Sequence, residues 1–163
     1  MNKYKILEDQ YIEVCGKKLY RIQALKDFNG VKSGDIGGYI EKESNLSQSG
    51  DAWVYDDAEV SGNAQVCGNA RVYGNAWVSD DAQVCGTRHY LNLGPIGSRD
   101  GYTTIYRDKS KKAIVVCGCF RGDLDEFERA VHKTHAGTKY EAEYMALIQL
   151  ARLREKEWLD EVD

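Results

Sequence analysis

Proline is nearly absent, with Pro95 alone in 163 residues. That scarcity argues against long disordered linkers. No apolar run reaches the length needed to span a bilayer, and no charged-then-apolar leader opens the chain. Histidine is also sparse: there are three, and none precedes His89. Histidine-based chemistry in the first half is therefore excluded. The five cysteines are an odd number. Without a secretory leader they fit a reducing cytoplasm better than a disulfide framework, and the expected location is cytoplasmic.

What is abundant is a short repeat. From Asp51 to Gly86 six hexads follow one another without a gap: DAWVYD, DAEVSG, NAQVCG, NARVYG, NAWVSD and DAQVCG. Each holds one valine (Val54, Val60, Val66, Val72, Val78, Val84) and, two positions earlier, one alanine. A six-residue apolar period fits no helix stripe and is too regular for a sandwich. It predicts a left-handed parallel β-helix, with valine filling the interior from a flat side and alanine fitting where the chain turns. Gly, Asp and Asn at the corners tolerate the left-handed backbone needed there.

A longer period lies in the variable positions. The residue after each valine reads Tyr55, Ser61, Cys67, then Tyr73, Ser79, Cys85. Identity returns after three hexads, one circuit of a three-sided prism, so Tyr55 is expected on Tyr73, Ser61 on Ser79 and Cys67 on Cys85. Trp53 and Tyr55 over Arg71 and Tyr73 form an aromatic face suited to an interface or a cation–π contact. Glu59 and Ser61 over Trp77 and Ser79 read as solvated apart from the tryptophan. Gln65 and Cys67 over Gln83 and Cys85 form an uncharged face, expected to be covered by another segment or subunit. Leu46 and Ile40 fall on the alanine line by simple backward extension, giving two to three coils.

Before the coil, residues 1–38 read as a β cap: YKIL, YIEVC, a turn at Gly16-Lys17-Lys18, then LYRIQAL. Residues 39–86 form the coil. Residues 87–163 form an α+β module with the order β-β-β-α-α. Asp123 followed by Glu126 opens its first helix as a capping box. Leu124, Phe127 and Val131 line that helix, and Tyr140, Tyr144, Leu147, Ile148 and Ala151 line the second, from about Lys139. Net charge is about +2 over residues 1–35, −6 over 36–86, +5 over 87–122 and −5 over 123–163. The acidic coil is a poor wrapping surface for nucleic acid, since phosphate contacts need clustered cations.

The positive segment carries the candidate chemistry. Gly94-Pro95-Ile96-Gly97-Ser98-Arg99 is a glycine-bearing loop ending in a hydroxyl and a guanidinium. Arg107, beside Tyr106, and Arg121 stand at other strand ends. Exposed amides plus arginine suit phosphate or carboxylate, and the alternative is a tight turn with solvated arginines. His132 and His135 share a helix face and join Ser98, Arg99, Tyr106, Arg107 and Arg121 as candidate ligand-binding residues. AIVVCGCF reads as one strand, so Cys117 and Cys119 point to the same side of it and, with the two histidines, make a four-ligand zinc site conceivable. Buried structural cysteines fit the C-x-C spacing better, and neither a metal nor a cofactor is expected. A cysteine nucleophile with a histidine base is the remaining option, but no orienting acid emerges from the spacing.

The hexads resemble the hexapeptide-repeat family, whose enzymes are trimeric acyltransferases using a coil histidine as base. The resemblance implies architecture and a tendency to oligomerise as trimer or dimer. It does not imply the activity, because the hexads contain no histidine. LYRIQALKDF, GDIGGYIE, the NAxVxG hexads and CGCFRGDLDEF resemble small bacteriophage and bacterial proteins. That second resemblance implies a host-interaction or anti-defence role. The expectation is a non-catalytic protein sequestering a small anionic, nucleotide-type ligand. The alternatives are a protein-binding inhibitor that meets a host protein through Trp53, Tyr55, Tyr73 and Trp77, with Cys67 and Cys85 on a covered face, and an acyltransferase-like enzyme.

Overall fold

The computed structural model describes residues 1–162, and the chain divides into two units, residues 1–87 and 88–163. The first unit opens with β1 (Tyr4–Val14) and β2 (Lys17–Ala24), an antiparallel hairpin. Its turn residues, Cys15 and Gly16, both have positive φ, as a two-residue hairpin turn with strand-matching twist requires. The turn thus sits one residue earlier than the glycine-lysine-lysine reading placed it. β3 (Ile36–Ile40) pairs antiparallel with β2.

Six two-residue strands then follow the hexads: β4 (Trp53–Val54), β5 (Glu59–Val60), β6 (Gln65–Val66), β7 (Arg71–Val72), β8 (Trp77–Val78) and β9 (Gln83–Val84). β4 pairs with β7, β5 with β8 and β6 with β9, all parallel and each 18 residues apart. The amide of Tyr55 donates to the Val72 carbonyl at 2.8 Å, and that of Ser61 to Val78 at 3.0 Å. All six alanines and all six valines are buried, as a solenoid interior requires. Corner residues Asp56, Gly62, Gly68, Gly74 and Asp80, each two places after a valine, have positive φ.

The backward extension of the register is corrected. Ile40 pairs opposite Val60 and Leu46 opposite Val66, 20 residues apart rather than 18. Both therefore stand in the valine line, not the alanine line. The two extra residues lie between Leu46 and Trp53, where the polar run SQSGD makes a wider corner. Gly38 takes the place of an alanine, because a Cβ there would lie 2.6 Å from the Ala58 carbonyl oxygen. Buried Asn45 fills the neighbouring corner, its Nδ2 donating to the carbonyls of Ala64 at 2.9 Å and Gly62 at 3.2 Å.

The N-terminal strands do not form a detached cap. β3 joins β5 in parallel, so β1-β2-β3-β5-β8 is one sheet running from hairpin into solenoid. An edge that would be left unpaired is thereby used. Tyr4 and Phe28 pack edge-on against Trp53, at ring separations of 6.2 and 5.5 Å. The buried Lys3 ammonium donates to the Ala52 carbonyl at 2.7 Å and lies over the Phe28 ring.

Burial lowers the Lys3 pKa from 10.5 to about 8, while burial raises the Tyr4 phenol above its ordinary range. The lysine contribution to stability is full above 10.5 and is lost as pH falls through 8. The tyrosine contribution is full below 10 and is lost as pH rises beyond it. Resistance of the N-terminal unit to urea is therefore expected to climb from pH 8 and turn over near pH 10. Lys3→Met is expected to flatten the climb. A climb of equal slope in that variant would remove Lys3 as its cause.

The second unit is a four-stranded antiparallel sheet with two helices. β10 (Tyr90–Ile96), β11 (Gly101–Arg107), β12 (Ala113–Cys117) and β13 (Phe120–Asp123) lie in sequence order. The three-strand reading is corrected here. AIVVCGCF is broken by a turn at Gly118, whose φ is +58°, into β12 and β13. α1 (Leu124–His135) begins with the expected capping box, Asp123 accepting from the Glu126 amide at 2.8 Å. α2 spans Lys139–Asp160. Leu124, Phe127, Val131, Tyr144, Leu147, Ile148, Ala151 and Trp158 pack with Ile105, Ala113 and Val115. Among the described residues no helix is long and apolar enough to cross a membrane.

Candidate functional site

The loop singled out in the sequence is the β10–β11 turn. Gly97 has φ +78° and is buried, while Ser98, Arg99 and Asp100 are exposed. A side chain at Gly97 would be strained at that φ, and its Cβ would lie 1.9 Å from the Tyr144 hydroxyl oxygen, so that ring would have to move. Its amide donates to Glu143 Oε2 at 3.0 Å. The turn thus already presents an N–H to an oxygen anion, supplied here by α2. Beneath it, buried Thr103 donates its hydroxyl to Cys117 Sγ at 3.2 Å, and Tyr144 Oη lies 3.9 Å from the same sulfur. Burial, then the neighbouring Cys117, pushes the Tyr144 phenol up to about 12, so it stays a protonated donor at neutral pH. The His135 ring lies 5.5 Å from that of Tyr144.

The other predicted ligand residues do not converge on this turn. Arg107 ends β11, about 20 Å from the turn at strand rise. It sits on the helix side of the sheet, bonded to Glu161 at 2.6 Å. Its neighbour Tyr106 occupies the opposite side, because successive strand residues alternate. Arg121 lies on β13, opposite Val116 and across the sheet from β10. His132 faces Glu141 at 3.1 Å and Glu128 at 3.6 Å, and the Glu141 contact raises its pKa. Its two ring nitrogens are thus held by carboxylates. The zinc geometry also changes: Cys117 ends β12 and Cys119 sits past the turn, so they are not alternate residues of one strand. No group of three or more metal-ligating side chains occurs among the described residues.

The aromatic face is only partly exposed. Trp53 is 1% exposed, covered by Tyr4 and Phe28, and offers nothing to a partner. Tyr55 and Tyr73 do stack, 4.3 Å apart and 15° from parallel, with Tyr73 exposed and Tyr55 half-buried. Arg71 reaches the Asn29 carbonyl at 2.8 Å and the Tyr73 hydroxyl at 3.5 Å. Trp77 is half-buried, and Ser61 and Ser79 are buried, so that face is not the solvated one expected. Cys67 and Cys85 stack as predicted but are joined in a disulfide, which corrects the expectation of free thiols. Glu143, Thr103 and Tyr144 were not legible as site residues. Glu143 and Tyr144 meet the turn only through packing between α2 and the sheet, and Thr103 meets Cys117 through strand pairing.

These features define a hexapeptide-repeat β-solenoid protein with a separate α+β module. The family model of the YdcK beta solenoid repeat matches residues 64–80. A curated protein of Escherichia coli strain K12, named "Uncharacterized acetyltransferase YdcK", is 40% identical over an alignment 77 residues long; the match covers 39% of this chain and 24% of that protein. The chain thus matches about a quarter of that relative's length.

Proposed function

We propose that this chain is a non-catalytic binding protein, in which a rigid solenoid serves as an oligomerising scaffold and the α+β module takes a small anionic, nucleotide-type ligand. The observation that carries this reading is the β10–β11 turn. Its Gly97 amide holds a carboxylate oxygen at 3.0 Å, and exposed Ser98 and Arg99 stand beside it. A phosphate or carboxylate arriving there meets a hydroxyl and a guanidinium. Sequestration of this kind needs affinity and no acid–base pair. Its setting would be host interaction or anti-defence.

Calorimetry of the full chain against nucleotides and simple anions tests it. Binding is expected in wild type, and Arg99→Ala is expected to weaken it about tenfold, as for a lost charged hydrogen bond. Absence of heat with every anion, or unchanged affinity in Arg99→Ala, would overturn the reading.

A second reading, acetyl transfer, is favoured by the name of the E. coli relative. The hexads supply no histidine base for it. Transfer from acetyl-coenzyme A to any acceptor, seen by mass spectrometry, would replace the binding proposal with this one.

A further inference from the structure

The Cys117-Gly118-Cys119 turn is used by neither reading above. Two thiols flank one glycine of positive φ, in the tight connection where Cys117 pairs with Phe120. A β-turn draws residues two apart within the Cα span that a disulfide accepts. The two sulfurs have unequal surroundings. Cys119 is exposed, whereas Cys117 is half-buried. The Cys117 sulfur accepts the hydroxyl of Thr103, a side chain that is itself fully buried. A donor already aimed at this sulfur holds it in one position as bonds to it form and break. The solenoid pair differs, since Cys67 and Cys85 are already joined.

We propose that Cys117 and Cys119 form a reversible dithiol–disulfide site that reacts with low-molecular-weight disulfides. The Cys119 thiolate attacks one sulfur of RSSR, forming a Cys119–S–S–R mixed disulfide and expelling RS⁻. The Cys117 thiolate then attacks Cys119 Sγ and expels the second RS⁻. The two protons of the protein thiols end on the two RSH products, so the chain loses two electrons and the small disulfide gains them. In reverse, an incoming thiol attacks the exposed Cys119, and Cys117 departs as a thiolate held by Thr103.

The test is incubation of the full reduced chain, carrying Cys15→Ser, with glutathione disulfide, followed by acid quench, alkylation and peptide mapping. A transient glutathione adduct on Cys119 is expected, giving way to a Cys117–Cys119 cross-link. In Cys117→Ser the adduct should accumulate, and in Cys119→Ser the cross-link cannot form. Thr103→Val should slow the second step about fivefold, the worth of one hydrogen bond, and Thr103→Ser should restore it. A wild-type adduct that persists as long as in Cys117→Ser would overturn the proposal. So would a Cys119 that takes up glutathione no faster than Cys15 does in the chain retaining it. The Thr103→Ser arm and circular dichroism of each variant separate these outcomes from misfolding.

Discussion

Trp53→Ala should cost the N-terminal unit about 3–5 kcal/mol, the range for emptying a large buried aromatic site. Its indole is closed in by Tyr4 and Phe28. It also lies against the chain at Gly37, where an added Cβ would come within 2.7 Å of the ring. Tyr4 cannot collapse into the void freely, because its hydroxyl is fixed to the carbonyls of Leu46 at 2.8 Å and Glu43 at 3.0 Å. Tyr73→Ala is the control. That ring is 43% exposed and stacks on Tyr55, so the expected loss is about 1 kcal/mol. Amide hydrogen exchange across the hexads reads both losses. A Trp53→Ala chain whose solenoid amides exchange at the wild-type rate would contradict the packing described. The variant is also a poor probe of partner binding, because it tests the core.

Gly68→Ala is expected to be the costliest corner substitution, at about 2–3 kcal/mol. Two effects add there. The backbone is left-handed, with φ +63°, and a Cβ would stand 2.4 Å from the Cys85 carbonyl oxygen in the adjacent coil. That oxygen belongs to backbone and cannot swing away. Gly30→Ala separates the two effects. Its φ is +90° but nothing lies within 4 Å of the added carbon, so only conformational strain of about 1 kcal/mol remains. Asp56→Asn should be nearly silent, since asparagine tolerates the left-handed region and keeps an oxygen for the Gly74 amide, now 2.9 Å from Asp56. Urea denaturation of the three variants gives the comparison. Equal losses at Gly68 and Gly30 would mean that the coil spacing can relax around the intruding carbon.

The candidate site was readable only in pieces. Ser98, Arg99 and the glycine turn stood out because glycine next to a hydroxyl and a guanidinium is a local signal. Arg107 and Arg121 drew notice for charge alone, and the strand register sends them to other parts of the sheet. The C-x-C motif was misread as one strand because AIVVCGCF is apolar throughout. Only the positive φ of Gly118 reveals the turn. Thr103 and Tyr144 meet Cys117 from 14 and 27 positions away, a closure that no short pattern encodes.

Unaided, the hexads determined a parallel coil with an 18-residue circuit, its alanine and valine interior, its glycine and aspartate corners, and the tyrosine and cysteine stacks. Each of these follows from neighbours separated by a fixed number of residues, so periodicity carries the information. The wider corner after Leu46, the joining of the N-terminal hairpin to a solenoid face, the burial of Trp53 and the Cys67–Cys85 bond were decided by tertiary structure. In each case the outcome depends on which distant group arrives to cover an edge or a ring. Free energy of burial and pairing selects that group only once the chain has closed.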